Sequence, residues 1–162
     1  MSDRMPMTAS GLRKLQDELK LLISVERPKI SGEIEVARAH GDLRENAEYH
    51  AAKEKQGHIE GRINDINGWI NRAEVIDVSK FKGDTTVKFG AQVELLDLES
   101  DKKVGYRLVG EIEADLKKRW ISVASPVARG LIGKKVGDVV TIQSPGGTRE
   151  YEVLKVSYED VE

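Results

Sequence analysis

The spacing of apolar residues changes once along the chain, near residue 80. Before that point apolar residues recur every three or four positions, which is the period of an amphipathic helix. Two such stripes are present, and they consist of Leu12, Leu15, Leu19 and Leu22, and of Ile59, Ile63, Ile66, Ile70 and Ala73. Two apolar stripes with this spacing predict a pair of helices that pack as a coiled coil.

The helical half is predicted to be an antiparallel hairpin over residues 8 to 76, with a tight tip between Ala39 and Glu45. Gly41 suits the position just after a helix, and Asp42 suits the N-cap of the next helix. Each arm of about 30 residues would be roughly 45 Å long. Toward the tip, the seam is predicted to consist of Ile34, Ala37, Ala47 and Ala51.

Pro28 falls inside the first arm of this hairpin. A proline in a helix interior removes a backbone donor and crowds the preceding turn. We therefore expect either a kink or an interrupted hydrogen-bond ladder at this point, and the sequence does not distinguish the two.

After a linker around residues 79 to 85, the chain is rich in β-branched residues separated by Gly, Pro and Asp, which is typical of short strands. A hairpin turn is predicted at Pro145-Gly146-Gly147 and a helical turn over residues 126 to 132. The predicted strands are 92–98, 105–109, 121–124, 139–143 and 151–156. The fold class is therefore α+β with two domains, residues 1–79 and 80–162.

Composition limits the function classes. The 162 residues include 26 basic and 28 acidic side chains, so general polyanion binding is not expected. No apolar run approaches the roughly 20 residues of a membrane span. The N-terminal residues lack the apolar region of a secretion signal, and there is no cysteine, which is compatible with a reducing cytoplasmic location.

Asp42 and Glu45 place two carboxylates at the predicted tip. They fit an acidic capping box, in which Asp42 caps the second helix and Glu45 occupies its third position. Carboxylates three apart on a helix also lie close enough to share one divalent cation. Two carboxylates do not complete the shell of Mg²⁺, so such a site requires further ligands from another macromolecule.

The other tip residues carry weaker signals. Four basic side chains could contact a nucleic-acid phosphate, although charges on an exposed helix are commonly only solvated. These are Arg38, Arg44, Lys53 and Lys55. The three histidines have no metal-ligand spacing, and no nucleophile-elbow or phosphate-loop pattern is present.

The tip sequence HGDLRENAEYHAAKEKQ resembles the coiled-coil tip of the bacterial GreA and GreB transcript cleavage factors, the GreA branch more than the GreB branch. The segments EGRINDINGWINRAEVID, FGAQVELLDLESDKKVGYRLVG and ISVASPVARGLIGKKVGDVV follow the family pattern in order. The resemblance covers nearly the whole chain. It implies an N-terminal antiparallel coiled coil and a C-terminal FKBP-like domain.

The resemblance also implies a function: binding to bacterial RNA polymerase as a monomer, entry of the coiled coil into the secondary channel, and stimulation of cleavage of the backtracked RNA 3′ end. The chain would not itself be an enzyme. Asp42 and Glu45 would help to retain Mg²⁺ jointly with polymerase carboxylates. By the same analogy, Arg38 and Lys53 would face RNA. Ser125 and Pro126 would contact polymerase.

Three alternatives remain open at this level. A channel-binding inhibitor could use the same scaffold, although the acidic pair favours stimulation. A structural coiled-coil adaptor would not depend on the acidic pair. A prolyl isomerase would need an aromatic-lined cleft, and the second half offers only Phe81, Phe89, Tyr106, Trp120, Tyr151 and Tyr158, most of which a core would use.

Overall fold

The N-terminal half of the chain forms a helical hairpin in the computed structural model, which describes residues 4–41 and 45–159. Helix α1 spans Ala9–Leu21, a π-helical segment spans Leu22–Glu26, and α2 spans Arg27–Arg38. The return arm is one helix, α3, over Ala47–Arg72. No helix within residues 4–41 or 45–159 is both long and apolar enough to cross a membrane.

The two arms are antiparallel, because partner numbers fall in one arm as they rise in the other. Glu18 pairs with Arg62, and Arg27 pairs with Glu60. The buried seam consists of Ile30, Ile34, Ala52, Ile59 and Ile63. Leu19 and Leu22 are partly buried and pack against it. The predicted coiled-coil hairpin is therefore confirmed.

The seam near the tip differs in detail from the prediction. Ala37 is buried as expected, but Ala47 and Ala51 are exposed, and Ala52 faces the seam instead. The prediction of Ala47 and Ala51 as seam residues was wrong because helix α3 presents a face one position further along the chain. The seam still uses small side chains there, so it buries little apolar area.

Pro28 is accommodated by the π-helical segment that precedes α2. The Arg27 N–H donates to the Leu22 carbonyl, five residues back, and Pro28 lies in the first turn of α2. Proline is tolerated there because the helix already changes its hydrogen-bond pattern at that point. The ladder is therefore interrupted and re-formed.

Two arginine–carboxylate pairs join the arms. Arg62 donates to both Glu18 oxygens at 2.6 and 2.8 Å, and Arg27 donates to both Glu60 oxygens at 2.9 and 2.8 Å. The hydrogen bonds from Arg62 lower the pKa of Glu18, and those from Arg27 lower the pKa of Glu60. Bidentate pairs of this kind fix the register of one arm against the other.

These pairs predict an acid-sensitive hairpin. Since the folded pKa of each glutamate is lowered, the stabilisation is complete above the ordinary glutamate pKa of about 4.3 and is lost as the pH falls through the folded value. Thermal melts followed by helical ellipticity should show that the melting temperature falls less between pH 5 and pH 3 for the double variant Glu18→Gln/Glu60→Gln than for the natural chain. Glu35→Gln, an exposed change on α2, is the control. Identical pH dependence in all three proteins would contradict the assignment.

The C-terminal half forms a five-stranded sheet. Its strands are β3 (Gln92–Asp97), β4 (Lys103–Val109), β5 (Trp120–Ser122), β6 (Val139–Ser144) and β7 (Gly147–Ser157), in the order β5-β4-β3-β7-β6. Neighbours are antiparallel except β4 and β5, which are parallel. The short helix α4 spans Pro126–Leu131. The predicted turn joins β6 to β7. The predicted α+β fold class is confirmed.

The core lies on one face of this sheet. Burial alternates along β3, where Val93 and Leu95 are fully buried, and α4 contributes Ala128 and Leu131. Five of the six aromatic side chains of this half pack in or against that core. These aromatic side chains therefore belong to the core and do not support the prolyl isomerase alternative.

A short parallel pair, not predicted, ties the N-terminal residues to the C-terminal half. Strand β1 (Met5–Met7) pairs with β2 (Ala73–Val75). By contacts, residues up to Leu12 and from Ala73 onward form one compact unit, and Arg13–Arg72 form the other. The change of apolar spacing instead predicts a single domain boundary, near residue 80.

Glu113 holds this N-terminal segment against the sheet unit. Its carboxylate accepts the N–H of Thr8 at 3.2 and 3.3 Å, the hydroxyl of Thr8, and the N–H of Gly110 at 2.9 Å. The Thr8 hydroxyl oxygen in turn accepts the N–H of Gly11 at 3.0 Å, which caps α1. One carboxylate therefore satisfies donors from two distant parts of the sequence.

Replacing Glu113 should be costly for the sheet unit. Glu113→Ala leaves the Thr8 and Gly110 donors without their acceptor, and we expect a loss of about 1–3 kcal/mol in the free energy of unfolding. Urea unfolding should show this loss, with faster amide exchange at Thr8. Glu111→Ala changes an exposed residue two positions before Glu113. Its free energy of unfolding should stay within about 0.5 kcal/mol of that of the natural chain. Equal stability of the two variants would show that the Glu113 contacts contribute nothing.

Candidate functional site

The closed end of the hairpin lies between the last residue of α2, Arg38, and the first residue of α3, Ala47. This matches the predicted position of the tip. Gly41 has a φ of +120°, a conformation that glycine adopts without steric cost. Glu45 is exposed in a turn two residues before α3 begins. Asp42, the other carboxylate predicted to act here, lies outside the described residues.

Asn46 is the N-cap of α3. Its side-chain oxygen accepts the N–H of Tyr49 at 3.0 Å, and its backbone oxygen accepts the N–H of His50 at 3.1 Å. Its side-chain nitrogen donates to the carbonyl of Ala37 at 2.5 Å, in the last turn of α2. One amide therefore connects the end of one helix to the start of the next.

The capping prediction for the acidic pair is wrong. Helix α3 begins at Ala47 with Asn46 as its cap, so Glu45 precedes the cap and cannot occupy the third helical position. The argument that Asp42 and Glu45 share one helix face fails for the same reason. Glu45 makes no hydrogen bond or ion pair with any other described residue, so its carboxylate oxygens remain accessible. An accessible carboxylate is a suitable ligand for a hard cation.

Magnesium ligands on the described part of the chain are few. Residues 4–41 and 45–159 contain no group of three His, Asp or Glu side chains close enough to hold a metal ion. Glu45 fits the cation as one oxygen donor and requires others to complete the roughly six that Mg²⁺ takes.

The basic residues predicted to face RNA are both exposed near the tip. Arg38 ends α2, and Lys53 on α3 donates to the side-chain oxygen of Gln56 at 3.1 Å. Between α2 and α3 runs an open groove of about 800 Å³, whose charged lining residues are Lys29, Glu33, Glu48 and Lys55. Because these charges balance, the groove itself is not a polyanion track.

Ser125 and Pro126, the predicted polymerase contacts, form the start of α4. The Ser125 hydroxyl oxygen accepts the N–H of Ala128 at 3.3 Å, and the hydroxyl donates to the Ser122 carbonyl at 2.7 Å. Pro126 follows at the first helical position and is exposed. Ser125 therefore has a structural role as an N-cap, whatever it contacts outside the chain.

Comparison with known proteins decides the family. A model described as "Transcription elongation factor, N-terminal" matches residues 5–75, and one described as "Transcription elongation factor, GreA/GreB, C-term" matches residues 82–158. Transcription elongation factor GreA of Anaeromyxobacter sp. (strain K) is 62% identical over 159 residues, which is 98% of this chain and 95% of that protein. The chain belongs to the GreA/GreB family of transcription elongation factors.

Other GreA/GreB proteins match to a similar extent. Transcription elongation factor GreA of Rhodopseudomonas palustris (strain TIE-1) is 56% identical over 158 residues, 98% of this chain and 99% of that protein. Among solved structures, the GreA factor homolog 1 protein of Thermus thermophilus matches with a TM-score of 0.43 and 26% identity, over 94% of this chain and 98% of that one. The family of this chain is shown by its sequence matches.

Family membership confirms the resemblance inferred from the sequence, but it leaves the roles of individual residues as predictions. These are the roles of Asp42, Glu45, Arg38 and Lys53 at the tip and those of Ser125 and Pro126 at α4. Asn46 was missed, because the spacing of Asp42 and Glu45 matched a capping box first. The available signal was an Asn directly before the uninterrupted helical run of α3.

Proposed function

We propose that this GreA/GreB family member binds bacterial RNA polymerase and stimulates the polymerase's own cleavage of the backtracked RNA 3′ end. The hairpin enters the secondary channel of the polymerase, and arrested complexes resume after the cut. The chain acts in the cytoplasm, as a monomer, and supplies side chains to an active site that belongs to its partner. It is therefore not an enzyme by itself.

The observation that carries this proposal is the accessible carboxylate of Glu45 at the closed end of the hairpin. Glu45 is exposed and makes no hydrogen bond or ion pair with another described residue, so within the described part of the chain it has no evident role in stability. Together with Asp42 it would contribute oxygen donors to Mg²⁺ that polymerase carboxylates also hold. Bound there, Mg²⁺ would lower the pKa of a coordinated water and so supply the nucleophile for phosphodiester hydrolysis.

The residues of this chain have separable tasks in the proposed reaction. Glu45 and Asp42 provide negative charge and oxygen donors beside the reacting phosphate. Arg38 and Lys53 hold the phosphates of the extruded RNA, and their exposure leaves both able to do so. Ser125 and Pro126 lie in the other compact unit and contribute to docking on polymerase rather than to chemistry.

Asp42→Asn tests the metal role directly. Asparagine removes the anionic oxygen that Mg²⁺ prefers, and the start of α3 keeps its cap because Asn46 supplies it. We expect stimulated cleavage of a stalled elongation complex to fall by at least about tenfold at low Mg²⁺, with helicity and polymerase binding retained. Added Mg²⁺ should restore part of the rate, because mass action fills a weakened site.

The matched control is Glu48→Gln, which removes an exposed carboxylate from the first turn of α3. It should cleave like the natural chain. Near-normal cleavage by Asp42→Asn at low Mg²⁺ would refute the metal assignment. Slow cleavage by both variants would instead indicate a general effect of negative charge at the tip.

Docking is tested by variants that preserve the start of α4. Ser125→Asn keeps a side-chain cap, and Pro126→Glu places an acid in the first turn, where the helix dipole favours it. Both alter the surface offered to polymerase. We expect the half-saturating concentration in the cleavage assay to rise by about tenfold, equivalent to about 1.4 kcal/mol, while the rate at saturation recovers.

Thr148→Ala, an exposed change on the β6–β7 hairpin, is the control for docking and should leave the half-saturating concentration unchanged. Melting temperatures of all three variants establish that α4 is intact. A loss of rate that persists at saturation in Ser125→Asn or Pro126→Glu would contradict the docking role.

A further inference from the structure

Asn46 makes side-chain hydrogen bonds to both helices that meet at the tip. Its oxygen accepts from the Tyr49 N–H at 3.0 Å, and its nitrogen donates to the Ala37 carbonyl at 2.5 Å. The same Ala37 carbonyl accepts the N–H of His40 at 3.2 Å, at the point where α2 ends. Ala37 is 3% exposed and lies in the hairpin seam, so the bond fixes Asn46 to a buried part of the arm.

Only a short primary amide performs both tasks. The Tyr49 amide can only donate and the Ala37 carbonyl can only accept, so the side chain must offer an acceptor and a donor in opposite directions. Serine caps a helix equally well but lacks the second arm that reaches Ala37. Aspartate has the shape of asparagine but places an oxygen against the carbonyl oxygen.

We infer that Asn46 is a positioning residue for the acidic tip, an inference that rests on the proposed function. Asn46 sets the distance between the end of α2 and the start of α3, and Glu45 is joined to it directly in the chain. Fixing Asn46 therefore fixes the backbone from which the Glu45 carboxylate extends. A ligand to a shared ion must be held closely, since a displacement of about 1 Å lowers the rate greatly.

The test is Asn46→Ser in the full-length chain, because serine preserves the cap and removes only the bond to Ala37. Helicity, melting temperature and the half-saturating concentration for polymerase should stay within twofold or within error of the natural chain. Cleavage at low Mg²⁺ should fall by at least about tenfold. The deficit should shrink as Mg²⁺ is raised, because a displaced ligand weakens ion retention rather than docking.

Two further measurements separate positioning from stability. Ala51→Gly weakens the exposed side of α3 by removing a strong helix former, and it leaves the Asn46 contacts intact. It should cleave at the natural rate. In the NMR spectrum of the free protein, the Asn46 side-chain amide should exchange slowly, and the backbone amide of Glu45 should become more mobile in Asn46→Ser.

Each outcome decides a different statement. If the natural chain does not stimulate cleavage, the proposed function fails, and the mobility of Glu45 in the NMR experiment alone decides whether Asn46 orders the tip. If the natural chain stimulates cleavage and Asn46→Ser does so within twofold at low Mg²⁺, the positioning role is overturned. It is also overturned if Ala51→Gly shows the same loss, or if Glu45 is equally mobile in both proteins.

Discussion

The helical unit depends on one narrow apolar seam between its antiparallel arms. Ile30, Ile34 and Ala37 from α2 meet small or branched residues of α3 along a single line, so each arm has only one buried face. Such a seam fixes which residues are opposite one another but buries little area per residue near the tip. Polar contacts add to the seam at two levels: the arginine–glutamate pairs join the middle of the arms, and Asn46 joins the ends of α2 and α3 at the tip.

This constraint explains how the closed end of the hairpin is held together so far along the chain from the sheet core. The seam positions the arms, and Asn46 joins the ends of α2 and α3. Glu45 is exposed and makes no hydrogen bond or ion pair with another described residue, which is compatible with the proposed role of its carboxylate. The sheet unit has its own core, and Glu113 holds its N-terminal segment, so the proposed docking residues lie in a different compact unit from the proposed tip residues.

The strands of the sheet unit could be predicted well because their signals are local. Alternation along β3 and the Gly-rich turn before β7 each act within a few residues. The β1–β2 pair could not be predicted in this way, since three-residue strands at Met5 and Ala73 carry no period and pair across most of the helical half. The π-helical answer to Pro28 depends on packing of both arms, which a single residue type does not determine.

At the tip, sequence reasoning placed the loop correctly and its cap incorrectly. Asp42 and Glu45 match the spacing of a capping box, but Asn46 can satisfy α3 and also reach Ala37, a tertiary contact that helical spacing does not reveal. The family could be recognised from motifs across nearly the whole chain. The roles of individual residues depend instead on which side chains already make hydrogen bonds within the fold. Ser125, for example, already caps α4 by accepting the N–H of Ala128.

The proposed function requires that this chain acts on the transcript through RNA polymerase. The most direct measurement follows radiolabelled RNA in a purified, backtracked elongation complex, with and without the natural chain, at fixed Mg²⁺. We expect short 3′ RNA fragments to appear faster when the chain is present and the shortened transcript then to be extended. A chain that binds the complex but leaves the rate of fragment release unchanged, or slows it, would contradict the proposed function.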